Sequence, residues 1–182
     1  MSPFISIVIP FYGTADPVLL QRCLDSIRQQ GMEEGIYEII VADDNGKGLG
    51  GARNQGIRQA TGTYLMFVDA DDYLFPNLSY CFSYLLKYTP DICSFQMCEV
   101  NRAGVIPQSF NYKWEVYESG AEYMSKNNFM GTAWRHFFSR SFLNIHGLAF
   151  AESCFHEDED FVAKAYCLAS TTLITDYPVY AY

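Results

Sequence analysis

The stretch Gly50–Asp72, GGARNQGIRQATGTYLMFVDADD, decides how the rest of the chain is read. After a glycine-rich turn, ARNQGIRQA (52–60) reads as a helix stopped by Thr61-Gly62. TYLMFV (63–68) follows as a continuous apolar run, the pattern of a strand buried on both faces. The stretch ends by crowding Asp69, Asp71 and Asp72 into four residues. A helix running straight into a fully buried strand is the rhythm of an α/β domain. In open α/β sheets, ligands bind off the carboxyl ends of the strands, which is where these carboxylates fall.

Working outward, the same rhythm continues. FISIVIP (4–10) is a second buried strand. Asp16-Pro17 offers an N-cap and a first-turn proline, and Val18, Leu19, Cys23, Leu24 and Ile27 follow at helical spacing until Gly31. YEIIVA (37–42) is another strand. Pro76 is expected to open a helix reaching Tyr88, and DICSFQMCEV (91–100) to form a fourth strand. Residues 101–150 are aromatic and irregular, and predict mixed strands and short helices. EDEDFVAKAYCLAS (157–170) returns to a clear helix before a last strand, TTLITDY. The expected fold is α/β, a mostly parallel central sheet flanked by helices with right-handed crossovers.

The 182 residues suit a single domain, 1–182. The net charge of −9, with Lys and Arg scattered, argues against a nucleic-acid groove, which needs concentrated positive charge. A phosphate-bearing ligand then requires a local divalent cation. No apolar run approaches the roughly 20 residues of a membrane span, and MSPFISIVIPFYG reads as a strand rather than a signal peptide. The six cysteines form no CxxC pair and read as reduced thiols of a cytoplasmic protein, with the cytoplasmic face of the membrane as an alternative address. The chain stops within DYPVYAY, a β-prone segment, so it is expected to be a fragment of a longer protein.

Each acidic knot has a plain alternative. On a strand leaving the sheet, Asp69 and Asp71 would point to the same side, where Mg²⁺ or Mn²⁺ takes one or two carboxylates plus phosphate oxygens. The alternative is a solvated, helix-capping turn. An EF-hand fails, because Leu74 and Tyr80 stand where its glycine and final glutamate belong. Asp43-Asp44 either cap a turn or accept from base N–H and ribose hydroxyl groups. GKGLGG (46–51) fits a dinucleotide fingerprint, yet Asp43 and Asp44 before it would repel a pyrophosphate. HEDEDF (156–161) either complements a helix dipole or supplies a general base. His136 reads as packed or half-exposed among aromatics, and Trp134 and Arg135 as core packing or as the wall of a sugar pocket.

Taken in order, SIVIPFYG, YEIIVADD, GGARNQGIRQATGTYLMFVDADD and HEDEDFVAKAYCLA resemble the family 2 glycosyltransferases, inverting enzymes with the GT-A fold. The resemblance implies that Pro10, Phe11, Tyr12, Gly13, Asp43 and Asp44 hold the nucleotide of a nucleotide-diphosphate sugar, a UDP-sugar first among them. Arg53, Asn54 and Ala70 would lie on the donor's sugar-phosphate side. Asp69 and Asp71 would be the DxD pair and the metal residues, Asp71 foremost, with Asp69 nearer the ribose. Residues 1–100 would form the nucleotide-binding half and 101–182 the acceptor-side half. Asp158 would be the base, with Glu157 and Asp160 as other candidates. The acceptor would be a saccharide or a lipid-linked hydroxyl, in polysaccharide or glycoconjugate synthesis. Where the family carries a helix and a strand, only NGKGLGG separates Asp44 from Ala52, so the sheet is expected to be one strand short. Two rivals remain: a GT-A-like module that only binds, and a nucleotidyltransferase. PFYGTADP lacks the basic residues that a nucleotidyltransferase loop carries.

Overall fold

The computed structural model describes residues 2–11, 16–101, 104–105 and 108–182. Tyr12 and Gly13, assigned above to the nucleotide, lie outside the described residues. The elements run β1 (Ile5–Phe11), α1 (Pro17–Arg28), β2 (Tyr37–Asp43), α2 (Gly48–Gln59), β3 (Tyr64–Phe67), β4 (Tyr73–Leu74), α3 (Tyr80–Tyr88) and β5 (Ile92–Cys98). They continue with a small hairpin of β6 (Val100–Asn101) and β7 (Gly104–Val105), then β8 (Trp114–Tyr117), α4 (Gly120–Lys126), a 3-10 turn (Ala133–Arg135), β9 (His136–Ser139), α5 (Arg140–Ile145), α6 (Glu157–Leu168) and β10 (Thr172–Ala181).

One sheet organises the chain, in the order β2-β1-β3-β9-β5-β10-β4, with β8 also pairing β10. β2, β1, β3, β5 and β10 run in one direction; β9, β4 and β8 run against them. The carboxyl ends of β1, β2 and β3 therefore share one edge, and the acidic residues of the sequence follow them. β2 stands at the border of the sheet, with no further strand outside it among the described residues. The short connection after Asp44 leads straight into α2 and not into a strand.

Strand alternation divides the core between the two faces. Ile5, Ile7 and Ile9 pack with Cys23 and Ile27 of α1 and with Cys81 and Leu85 of α3. Val8, Leu65 and Phe67 pack on the other side with Phe142 and Leu143 of α5 and Phe161, Val162 and Ala165 of α6. Asp16 caps α1 as expected, accepting from the Val18 N–H at 2.8 Å with Pro17 in the first turn. Cys23, Cys81, Cys93 and Cys98 are buried free thiols, whereas Cys154 and Cys167 are exposed.

Three boundaries differ from the sequence reading, each for a tertiary reason. α2 begins at Gly48, so the glycines read as a turn are its first turn. Gly50 is needed there for close approach, since a Cβ on it would lie 2.1 Å from the Ala151 carbonyl oxygen. After Pro76 the helix waits until Tyr80, because Tyr73–Leu74 first pairs with β10 and Asn77 takes a left-handed φ of 72°. The last strand continues past Tyr177 to Ala181, absorbing Pro178 at shifts of register against β5. No helix among the described residues is long and apolar enough to cross a membrane.

Candidate active site

The acidic turn after β3 is built by the backbone first. Beyond Val68 the chain leaves the extended conformation, and the Asp72 N–H donates to the Asp69 carbonyl at 3.1 Å. The two-residue alternation of a strand no longer holds, so Asp69 and Asp71 do not share a side as expected. Asp69 turns inward, its side chain 24% exposed, and its Oδ1 accepts from Arg53 Nη2 at 3.1 Å. Asp71 is exposed, and its backbone carbonyl accepts from the Arg22 guanidinium.

Tyr180 ties this turn to the end of β10. Its oxygen accepts from the Asp69 N–H at 2.9 Å, and its hydroxyl donates to Asp72 Oδ2 at 2.8 Å. Trp134 stacks on the Tyr180 ring at 4.5 Å between centroids. Tyr180 carries no signal in the sequence; it lies 108 residues from Asp72, and nothing local marks the pairing. Burial, assisted by the neighbouring Asp69 and Asp71, raises the Asp72 pKa to about 7 against the opposing hydrogen bond from Tyr180. Burial likewise raises Asp69, and the Arg53 guanidinium works against it.

Arg53 joins the turn to the second acidic knot. It is 1% exposed, and its Nη1 donates to Glu157 Oε1 at 2.9 Å. Glu157 is itself buried at 6%, so its carboxylate meets Arg53 rather than solvent. Asp158, one residue on, is partly exposed and close enough to act electrostatically on Asp69, as is Asp71. Asp158 also lines a cavity of about 500 Å³ together with Phe129, Met130, Gly131, Thr132, His156 and Glu159. Asp160 faces Lys164 at 2.7 Å, an ordinary helix-surface pair.

The remaining predicted residues fall into two groups. At the sheet edge, Asp43 Oδ1 accepts from the Asn45 N–H at 2.7 Å and Asp44 Oδ2 from the Gly48 N–H at 3.1 Å. Both therefore cap the turn into α2, while Asp43 stays exposed with a second oxygen to offer. Pro10 is buried and Phe11 half-buried at the end of β1; Ala70 is buried within the acidic turn. Asn54, by contrast, faces inward: it donates to the Phe150 carbonyl at 2.9 Å and accepts from the Phe150 N–H at 2.8 Å. Trp134 and His136 are core, and Arg135 donates to the Phe95 carbonyl at 3.3 Å and to Gln96.

Among the described residues, no three His, Cys, Asp or Glu side chains are gathered as a ready-made metal cage. A cation of the Mg²⁺ or Mn²⁺ kind needs only one or two carboxylates and completes its shell with phosphate oxygens and water. Asp71 has the exposed carboxylate for this role, while Asp69 is engaged by Arg53.

Comparison with known proteins bears directly on this edge of the sheet. The profile of the family described as Glycosyl transferase family 2 matches residues 6–47 and 44–144. The chain belongs to this family. The two matched segments meet at 44–47, within the short connection between Asp44 and Ala52. The family 2 chain is 28% identical over 220 residues to the uncharacterized glycosyltransferase EpsJ of Bacillus subtilis, covering 100% of itself and 61% of EpsJ. It aligns with TarS 1–349 of S. aureus at a TM-score of 0.81 and 22% identity, covering 100% of itself and 60% of that chain. It aligns with the mannosyltransferase PcManGT of Pyrobaculum calidifontis, solved with GDP-Man and Mn²⁺, at 0.68 and 15%, over 57% of that chain. The fold is accordingly GT-A, and the chain spans about 60% of the length of the relatives it matches.

Proposed function

We propose that this family 2 chain carries the donor site and the general base of an inverting glycosyltransferase, one that moves a sugar from a nucleotide-diphosphate sugar to an acceptor hydroxyl. The observation that carries the reading is the buried Arg53, which brings the acidic turn at Asp69 to the acidic start of α6 at Glu157. Carboxylates from two distant segments, Asp71 and Asp158, thereby both act electrostatically on Asp69.

The roles follow from exposure and partners. Pro10, Phe11, Asp43 and Asp44 border the place for the nucleotide, with the second oxygen of Asp43 able to accept from a base N–H. The family resemblance extends this border to Tyr12 and Gly13. Asp71 would hold a divalent cation, and Asp69, turned toward Arg53, would lie on the ribose side. A bound Mg²⁺ or Mn²⁺ supplies neutralisation of the charge that develops on the leaving nucleoside diphosphate. Asp158 takes the proton from the acceptor hydroxyl as that oxygen attacks the anomeric carbon from the face opposite the leaving group. A single displacement inverts the configuration. The cavity of about 500 Å³ beside Asp158 is of a size for one acceptor sugar. Structures of TarS with UDP-GlcNAc and of PcManGT with GDP-Man and Mn²⁺ support a nucleotide-sugar donor and a divalent metal. The acceptor, in this reading, is a saccharide or lipid-linked hydroxyl of polysaccharide or glycoconjugate synthesis.

Calorimetric titration of the chain with UDP and GDP, each with and without Mn²⁺, tests the proposal. Nucleotide binding is expected only with metal, lost in Asp71→Ala and kept in Asp158→Asn. No binding in the wild type would refute the donor site, and metal-independent binding would refute the role given to Asp71. In the whole enzyme, Asp158→Asn should abolish transfer while sparing donor affinity.

A further inference from the structure

The geometry points to Arg53 and Asn54 as positioning residues that set where the base-bearing helix α6 begins, instead of contacts for the donor. The inference rests on the proposed role of Asp158 and adds to it a device for placing that carboxylate.

The start of α6 is not held by its own sequence. Its N-cap residue, His156, makes no side-chain capping bond and sits at a left-handed φ of 60°, a conformation unfavourable for a residue with a Cβ. Ser153, in the approach to it, is left-handed too, at 58°. Four acidic residues, Glu157 to Asp160, crowd the first turn, where they favour the helix dipole but repel one another. Something outside the segment must fix it.

That support comes from α2 and the turn before it. Asn54 reads the Phe150 backbone as a neighbouring strand would, donating at 2.9 Å and accepting at 2.8 Å. Lys47 Nζ meets Glu152 at 3.0 Å, and the Ser153 N–H donates to the Lys47 carbonyl at 2.8 Å. Arg53 then closes the unit through Glu157 at 2.9 Å, with its guanidinium carbon 5.4 Å from the centre of the Phe150 ring. The same guanidinium reaches Asp69 at 3.1 Å. One planar, rigid group thus sets the separation between the acidic turn after β3 and residue 157, next to Asp158.

Two features favour positioning over ligand contact. Arg53 is 1% exposed and Asn54 5%, so neither presents a face to a ligand. Arg53 also leaves its buried Nε without a partner, directing both terminal nitrogens to carboxylates on two different elements. A group bound primarily to satisfy its own donors would not sit that way; one that bridges two elements does.

The test uses Arg53→Lys and Glu157→Gln, measured for metal-dependent UDP binding, for transfer kinetics in the whole enzyme, and for amide hydrogen exchange across 150–160. Both variants are expected to lower kcat tenfold or more while the UDP Kd and donor KM stay within threefold. Exchange across 150–160 should quicken tenfold or more, with β1 and β3 unchanged. Arg53→Lys removes no carboxylate, so the same split there separates positioning from base catalysis by Glu157. A rise in UDP Kd matching the loss of kcat, or unchanged exchange across 150–160, would overturn the inference. If the wild type bound no UDP with metal, the proposed function would fall, and the exchange measurement alone would still decide the clamp.

Discussion

Arg53 is buried against two carboxylates, whereas His136 is buried against a carbonyl oxygen and a tyrosine hydroxyl. The Thr132 carbonyl can only accept, so His136 Nδ1 donates to it at 3.0 Å and Nε2 accepts from the Tyr166 hydroxyl at 3.1 Å. Burial, with the nearby Arg135 charge second, pulls the His136 pKa from 6.5 to about 3. The folded state therefore holds the neutral ring, while the unfolded chain gains a proton below about 6.5. The stability that this burial permits is full above that pH and declines as pH falls from 6.5 toward 3. Between pH 7 and pH 5 the loss should be about 2 kcal/mol. Urea unfolding of the wild type and of His136→Gln at both pH values checks this, since the gap between the two proteins should shrink by that amount at pH 5. A gap independent of pH would mean that the ring is protonated in the fold or open to water. The sequence exposed His136 as a histidine among aromatics; the tautomer and the sign of its titration come from Thr132 and Tyr166.

At the scale of elements, the meeting of α2 with the segment before α6 decides the site. In an isolated helix, Gly→Ala stabilises by up to ~1 kcal/mol. At Gly50 the added Cβ would stand 2.1 Å from the Ala151 carbonyl, and backbone does not yield as a side-chain tip does. Gly50→Ala should therefore destabilise the protein by about 1–3 kcal/mol, as overpacking does. For a chain of this size that lowers Tm by roughly 2–4 °C per kcal/mol. An unchanged or higher Tm in a thermal melt would show that the segment moves away freely. The same contact explains why the turn ends sooner than the sequence reads: Gly50 serves a neighbour about 100 residues on. Elements whose cause is local are legible in the sequence. β1 and β2 are marked by runs rich in Ile and Val, and α1 by Asp16-Pro17. β4, two residues long, carries no period to read, and β10 contains a proline that only its partner strand accommodates.

For the molecule as a whole, one sheet serves two apolar layers, and β3 contributes to both through Met66 on one face and Leu65 and Phe67 on the other. Residues 1–100 and 101–182 thus contribute strands to one sheet, with β9 between β3 and β5, instead of meeting at a linker. Unfolding should be a single cooperative transition, coincident by tryptophan fluorescence and far-ultraviolet circular dichroism. Two separated transitions would divide the halves into independent units. The acidic clusters are legible as chemistry in the sequence, because carboxylates at a strand end and at a helix start are properties of a few adjacent residues. The sequence by itself determined the alternation of strands and helices, the family, and the presence of two acidic knots, all of which depend on short-range period and residue type. Only the tertiary structure decided that Asp69 turns inward while Asp71 stays open, that Glu157 is engaged while Asp158 is partly exposed, and that Arg53 lies between them. A guanidinium's place in an interior is set by its partners, and these lie 16 and 104 residues away, beyond the reach of any local pattern.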